Sequence, residues 1–179
     1  MCKLCETNPV YEFTNKRKLC RRCFIDYFHK KVLYTIRKFR MISKGDRIFY
    51  KKSKNFKSVV LEEVLKFVAD KVEIKLNSGK NNKIAIDSSI DSEADSIVKN
   101  LINGNVSELK EFLPVYRNTI KPLYLFLEEE ILLYAKLKNL KFNKKTEKKD
   151  KIESFEDEFE KKHPEVKRAI VNSLLELYN

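Results

Sequence analysis

The only four cysteines in this 179-residue chain stand at its front as Cys2-x2-Cys5, fourteen residues, then Cys20-x2-Cys23. A Cys-x2-Cys pair places two thiolates on one tight turn. Two such turns about fifteen residues apart supply four tetrahedral sulfur ligands, the donor set of a structural zinc site. With all four positions ligating, no coordination site is left open for catalysis. Disulfide pairing is the competing reading. No secretory signal accompanies the pattern and thiols stay reduced in the cytosol, so free thiols and a cytoplasmic location are expected. A redox Cys-x-x-Cys needs a thioredoxin-like βαβ context, which does not follow these residues.

The rest of the chain is bounded by its composition. Its length suits one ordinary domain plus a small appendage. Hydrophobic residues at 42% suffice for a core, and charged residues at 36% give a heavily solvated surface. Three glycines leave little room for Gly-rich phosphate-cradling loops. No apolar run approaches the ~18 residues of a membrane span, so no membrane partner is expected. The net charge of +12 points to an anionic partner, most commonly nucleic acid, against the blander reading of a merely soluble basic protein. That charge is concentrated. Between Lys16 and Arg40 ten basic residues (Lys16, Arg17, Lys18, Arg21, Arg22, Lys30, Lys31, Arg37, Lys38 and Arg40) face one acid, Asp26. Ile25, Phe28, Val32, Ile36 and Phe39 recur at three- and four-residue steps, which makes one buried helical stripe. The basic side chains fall largely off it, as phosphate contacts would require.

Periodicity then organises the remainder. Lys44-Gly45-Asp46 reads as a turn and Arg47–Tyr50 as a strand. Val59–Ala69 reads as a helix, Val72–Leu76 and Lys83–Ile86 as strands, and Asn77–Asn82 as the turn between them. A helix starts near Asp91, capped by Ser89, and runs to Gly104. Thr119–Leu123 is extended because the residue before Pro122 avoids the helical region. Leu127–Leu137 is helical, residues 141–151 form a Lys-rich linker, and two closing helices meet at His163-Pro164. The first presents Phe155 and Phe159, the second Val166, Ile170, Leu174 and Leu177. Alternating strands and helices imply a layered α/β domain with a parallel sheet. Tyr124, Phe126 and Tyr134 suit core packing, and His29 and His163 suit surface or capping positions.

In this order the motifs resemble the tRNA 2-thiolation enzymes of the PP-loop (N-type ATP pyrophosphatase) superfamily, which carry an N-terminal zinc ribbon. Three stretches bear the resemblance: Cys20-Arg21-Arg22-Cys23-Phe24 through Lys31–Ile36 to Ile42–Arg47; Ile90-Asp91-Ser92-Glu93-Ala94; and Ile120-Lys121-Pro122-Leu123 through Leu133-Tyr134-Ala135 to His163-Pro164. The resemblance implies a zinc ribbon over 1–24, a basic linker helix over 25–42, a shortened PP-loop domain over 43–140, the linker 141–151 and C-terminal helices over 152–179. Relative to that family a whole βα stretch is missing between Leu76 and Lys83, which exposes a sheet edge or core patch.

The departures shape the functional expectation. The family's Ser-Gly-Gly-Lys-Asp-Ser loop is here Ser53-Lys54-Asn55-Phe56-Lys57-Ser58, with only Ser53 and Ser58 kept as a nucleotide-binding remnant. Glycines there let backbone N–H groups reach phosphates. Side chains crowd that approach, a positive φ at Lys54 would cost energy, and Phe56 brings no charge. Asp91 and Glu93 match the family's acidic helix start, yet equally suit a helix N-terminus. ATP and magnesium binding are therefore not expected to persist. With every thiol assigned to zinc, no iron–sulfur cluster or persulfide relay is expected either. The expected protein is a catalytically degenerate, tRNA-binding or regulatory subunit related to 2-thiouridine synthesis. It would work with an intact paralogue or as a homodimer. The alternatives are an active ATP-dependent tRNA sulfurtransferase with an altered loop, and a non-enzymatic zinc-ribbon RNA-binding protein.

Overall fold

In the computed structural model, residues 1–80, 82–143, 163 and 165–178 are described. A short hairpin opens the chain, with β1 (Tyr11–Glu12) antiparallel to β2 (Lys18–Leu19) in the register Tyr11 to Leu19. It feeds directly into α1 (Arg21–Lys38). The stripe buried on α1 is Phe24, Phe28, Val32, Thr35 and Ile36. Phe24 thus takes the place expected for Ile25, which is only half-buried, as is Phe39. Because α1 starts at Arg21, Cys23 lies inside it and the expected boundary after residue 24 falls within a helix.

The α/β body follows. Strand β3 (Arg47–Tyr50) buries Ile48 and Tyr50 and turns Arg47 and Phe49 outward, the period of two that a one-sided sheet requires. Helix α2 (Phe56–Ala69) begins three residues earlier than its apolar pattern implies, because the Asn55 side chain caps it by accepting the Ser58 N–H at 2.7 Å. Strand β4 narrows to Lys75–Leu76, since the Val72 N–H is still held by the Val68 carbonyl. Then come β5 (Lys83–Ala85), α3 (Ile90–Ile102), a 3-10 helix (Val106–Phe112), β6 (Val115–Tyr116), β7 (Thr119–Ile120) and α4 (Glu128–Leu137). The last described element is α5 (Val166–Leu177). The Phe155/Phe159 helix and most of the 141–151 linker lie outside the described residues.

The five-stranded sheet runs β4-β3-β5-β7-β6, parallel except for β6, as the α/β expectation required. One face packs Ile48, Tyr50, Ala85 and Ile120 against α1, α2 and α4 in the main core. A second cluster joins α3, α5, the 3-10 helix and Tyr124. Tyr124, Phe126 and Tyr134 are all fully buried, as their packing role implied. His29 is no surface residue: its ring stacks on Phe67 and its Nε2 lies 2.8 Å from the Tyr134 hydroxyl.

Only six residues, 77–82, carry the chain from β4 past β3 to β5. The Asn77 side chain accepts from the Tyr50 N–H at 2.9 Å, and the Asn82 side chain accepts from the Arg47 N–H at 2.8 Å. These amides serve backbone groups that a longer ladder would otherwise satisfy. The outward sheet face leaves Phe49 42%, Ile84 37% and Ile86 37% exposed.

Two buried carboxylates fix this arrangement. Asp46 accepts from Lys83 Nζ at 2.7 Å, the Ser43 N–H at 2.7 Å and Asn82 Nδ2 at 3.0 Å, which locks the entry to β3 against β5. Glu130, wholly buried, accepts from Lys31 Nζ at 2.8 and 3.0 Å, Tyr27 OH at 3.0 Å and the Leu127 N–H at 2.9 Å, with Arg168 at 3.5 Å. It ties α1, α4 and α5 together. Replacing Glu130 by Gln strands a buried ammonium and is expected to cost about 3 kcal/mol in urea unfolding. A loss under ~1 kcal/mol would contradict this account. Burial opposes ionisation of Asp46, but its three donors outweigh it and hold the carboxyl below its ordinary value. Its stabilisation is therefore complete above the usual aspartate range and is lost as pH falls through the depressed value. Asp46→Asn should flatten the acid limb of the stability–pH curve; an unchanged limb would remove Asp46 from it.

Candidate metal centre and the edge of the sheet

The first cysteine turn is closed by the Cys2 N–H to the Thr7 carbonyl at 2.8 Å and the Glu6 N–H to the Cys2 carbonyl at 3.0 Å, with Glu6 at φ 58. The β1–β2 hairpin returns the chain so that Cys20 caps α1 and Cys23 sits in its first turn. All four sulfurs lie within 4.8 Å of one another, with Cys5–Cys20 at 3.4 Å and Cys5–Cys23 at 3.6 Å. None forms a disulfide. Cys2 and Cys20 are buried, Cys23 is half-buried and Cys5 is exposed.

The electrostatics of the cluster call for a cation. The Thr7 hydroxyl, the Cys23 backbone N–H and the Cys5 thiol lower Cys20 to about 6. A thiolate at a helix N-terminus also gains from the helix dipole. The Cys5 thiol and burial push Cys23 up to about 12. A bound metal displaces the remaining protons, which makes its affinity pH-dependent.

The carboxyl edge of the sheet holds the second candidate site. Lys54 does not adopt a positive φ, so the expected strain there is absent. Ser53 Oγ accepts the Asn55 N–H at 3.2 Å, Asn55 accepts the Ser58 N–H, and the Ser58 hydroxyl donates to the Lys51 carbonyl at 3.1 Å. The Phe56 ring meets Phe142 edge-on, and Lys57 Nζ binds Glu128 at 2.7 Å. Asp91 Oδ2 accepts the Glu128 N–H at 2.7 Å, and its Oδ1 lies 3.3 Å from Lys167 Nζ. Asp91 thus serves the start of α4 as well as its own helix. Glu93 pairs in the interior with Lys121 at 2.9 Å and accepts from Ser88. Burial raises Glu93 and lowers Lys121, as desolvation must.

The basic cluster is only partly available. Lys31 is part-buried, with its ammonium paired to Glu130. Arg21 donates to the Leu137 carbonyl, Arg37 to the Leu33 carbonyl at 3.3 Å, and Lys16 and Lys18 face Glu12 at 3.9 and 3.0 Å. Lys38 lies over Tyr34 and Phe39, and Arg17 over Phe13 and Tyr27. Arg17, Arg22 and Lys30 have no carboxylate partner among the described residues. Sequence reasoning missed Glu128 and Glu130. The capping pattern that marks Glu130 is obscured because Leu127 occupies the cap.

No protein-family model matches the chain, and no curated protein does. A solved structure does: the U34-tRNA thiolase NcsA from Methanococcus maripaludis with its [4Fe-4S] cluster, at TM-score 0.81 and 18% identity. The match covers 98% of this chain and 86% of that one. At that identity the likeness establishes the fold alone, an α/β domain on a mostly parallel sheet; a four-cysteine cluster stands at the front of this chain. It also corrects the cofactor expectation of zinc and no iron–sulfur cluster, because a protein of this fold is solved with such a cluster. Every thiol of this chain lies in the one four-sulfur set, and four cysteine thiolates are the donors an iron–sulfur cluster takes. No helix among the described residues is long and apolar enough to cross a membrane.

Removing one ligand tests the cluster as a unit. Cys20→Ser is expected to lose most of the bound metal in elemental analysis and to melt at a lower temperature. Full metal content in that variant would show that the four sulfurs do not act together.

Proposed function

We propose that the chain is a tRNA-thiolation-related protein that binds tRNA through its four-cysteine hairpin (1–24) and α1 region (25–42) and does not itself bind ATP productively. The α/β body over 43–140 then serves as a scaffold. One observation carries the second half: the start of α2 is closed by its own side chains. Phosphate binding at a helix N-terminus needs free N–H groups and close backbone approach. Here Asn55 takes the Ser58 N–H, Phe56 stands where the family's lysine does, and Lys57 is held by Glu128. The likeness to a U34-tRNA thiolase supports the first half, with Arg17, Arg22 and Lys30, which have no carboxylate partner among the described residues, as phosphate contacts. An intact thiolation enzyme, or a second copy of this chain, is the partner this reading implies.

The four thiolates at Cys2, Cys5, Cys20 and Cys23 are proposed to hold an iron–sulfur cluster. When bound, such a group supplies electron-transfer capacity. This chain's residues hold it at the N-terminus of α1, beside the basic surface. Iron and acid-labile sulfide in anaerobically purified protein would agree, and a single divalent metal without sulfide would overturn it. The same likeness favours a second reading, an active thiolase with an altered loop. Nucleotide binding separates the two. Millimolar ATP with magnesium is expected to leave the melting temperature unchanged, whereas a ligand selective for the native state must raise it. A clear upward shift would reverse the proposal in favour of the enzyme. For RNA, affinity should fall steeply between about 50 and 200 mM salt. Salt-independent tRNA binding would contradict phosphate contacts.

A further inference from the structure

A cleft of about 390 Å3 opens between the four-cysteine hairpin and α1, lined by Arg17, Cys23, Asp26, Tyr27, Lys30 and Tyr34 among others. Its volume is that of a small-ligand site. Its walls combine three chemistries. Tyr34 leaves half its surface to solvent, at 50%. The Arg17 guanidinium lies over the rings of Phe13 and Tyr27 at 5.5 and 5.9 Å, which holds the cation in place without a carboxylate among the described residues. Lys30, exposed, has no acidic partner among the described residues, while Lys31 is already neutralised by Glu130. Asp26 is exposed and offers an acceptor at the same mouth.

We infer that this cleft seats one unstacked nucleotide of single-stranded RNA, with its base on Tyr34, its phosphate between Arg17 and Lys30, and a base N–H donated to Asp26. Sequence-tolerant RNA sites pair an aromatic platform with cations along the backbone. This surface has both within one concavity, next to the cysteine cluster. The inference rests on the tRNA reading above and sharpens it: the hairpin grips a splayed base and does not merely lie along a duplex backbone. A loop or the single-stranded end of a folded RNA presents such a base.

Fluorescence titration of the metal-loaded full chain with total tRNA tests it. Tyr34→Ala is expected to weaken binding about tenfold with little change in salt dependence, since base stacking is lost and no charge is. Tyr34→Phe, which keeps the ring, should restore wild-type affinity. Lys30→Ala should weaken binding and reduce the salt slope by about one. Lys75→Ala, exposed on the edge strand β4 and outside the cleft lining, should change nothing. Wild-type affinity in Tyr34→Ala, or an equal loss in Lys75→Ala, would overturn the cleft while leaving tRNA binding in place. Failure of the wild-type chain to bind tRNA would overturn both readings.

Discussion

The Glu130 carboxylate is the joint on which the molecule turns. It is buried completely and receives an ammonium, a phenol and a backbone N–H, with a guanidinium close by. A carboxylate in that setting is tolerated only because each donor offsets its lost hydration. Its donors sit on α1, at the start of α4 and on α5, so one group sets the angle between the helix that carries Cys20 and Cys23 and the sheet domain behind it. Burial presses the Lys31 ammonium downward while Glu130 opposes it, and the Tyr27 phenol is driven up by desolvation and by the same carboxylate. The four-cysteine hairpin is tied to the body through α1, with Tyr11 adding a hydrogen bond to Glu129 at 2.6 Å.

The two candidate sites have opposite characters. At the hairpin, Arg17 and Lys30, which have no carboxylate partner among the described residues, and the exposed Tyr34 line an open cleft. At the carboxyl edge of the sheet, where open α/β sheets commonly receive ligands, the polar groups are already engaged with one another: Ser53 with Asn55, Asn55 with Ser58, Lys57 with Glu128, Asp91 with the start of α4. A phosphate arriving there would have to displace bonds within the chain, not water. The hairpin end is open to a partner without such a cost.

Much of this was legible in the residues. The Cys-x2-Cys spacing foretold four convergent sulfurs, and alternation placed β3 and β5 to within a residue. Ser89 capped α3 as its position implied. The failures have physical causes. A basic residue in a basic run looks solvated, yet Lys31 is part-buried and paired, because its partner Glu130 lies ninety-nine residues on. The α1 stripe slid from Ile25 to Phe24 because both fit a helical period and only tertiary packing chooses between them. The start of α2 reached back to Phe56 because a capping amide outweighs a polar sequence. Nor does a four-thiolate spacing name its metal, since zinc and iron–sulfur centres draw on the same donors. The zinc expectation failed at that step, and with it the expectation that no iron–sulfur cluster is held.

Hydrogen–deuterium exchange of the full chain with and without tRNA tests the central claim most directly. Protection is expected over the hairpin and α1, residues 16–38, with no change at residues 51–58. Protection confined to 51–58, with none over the hairpin, would contradict it.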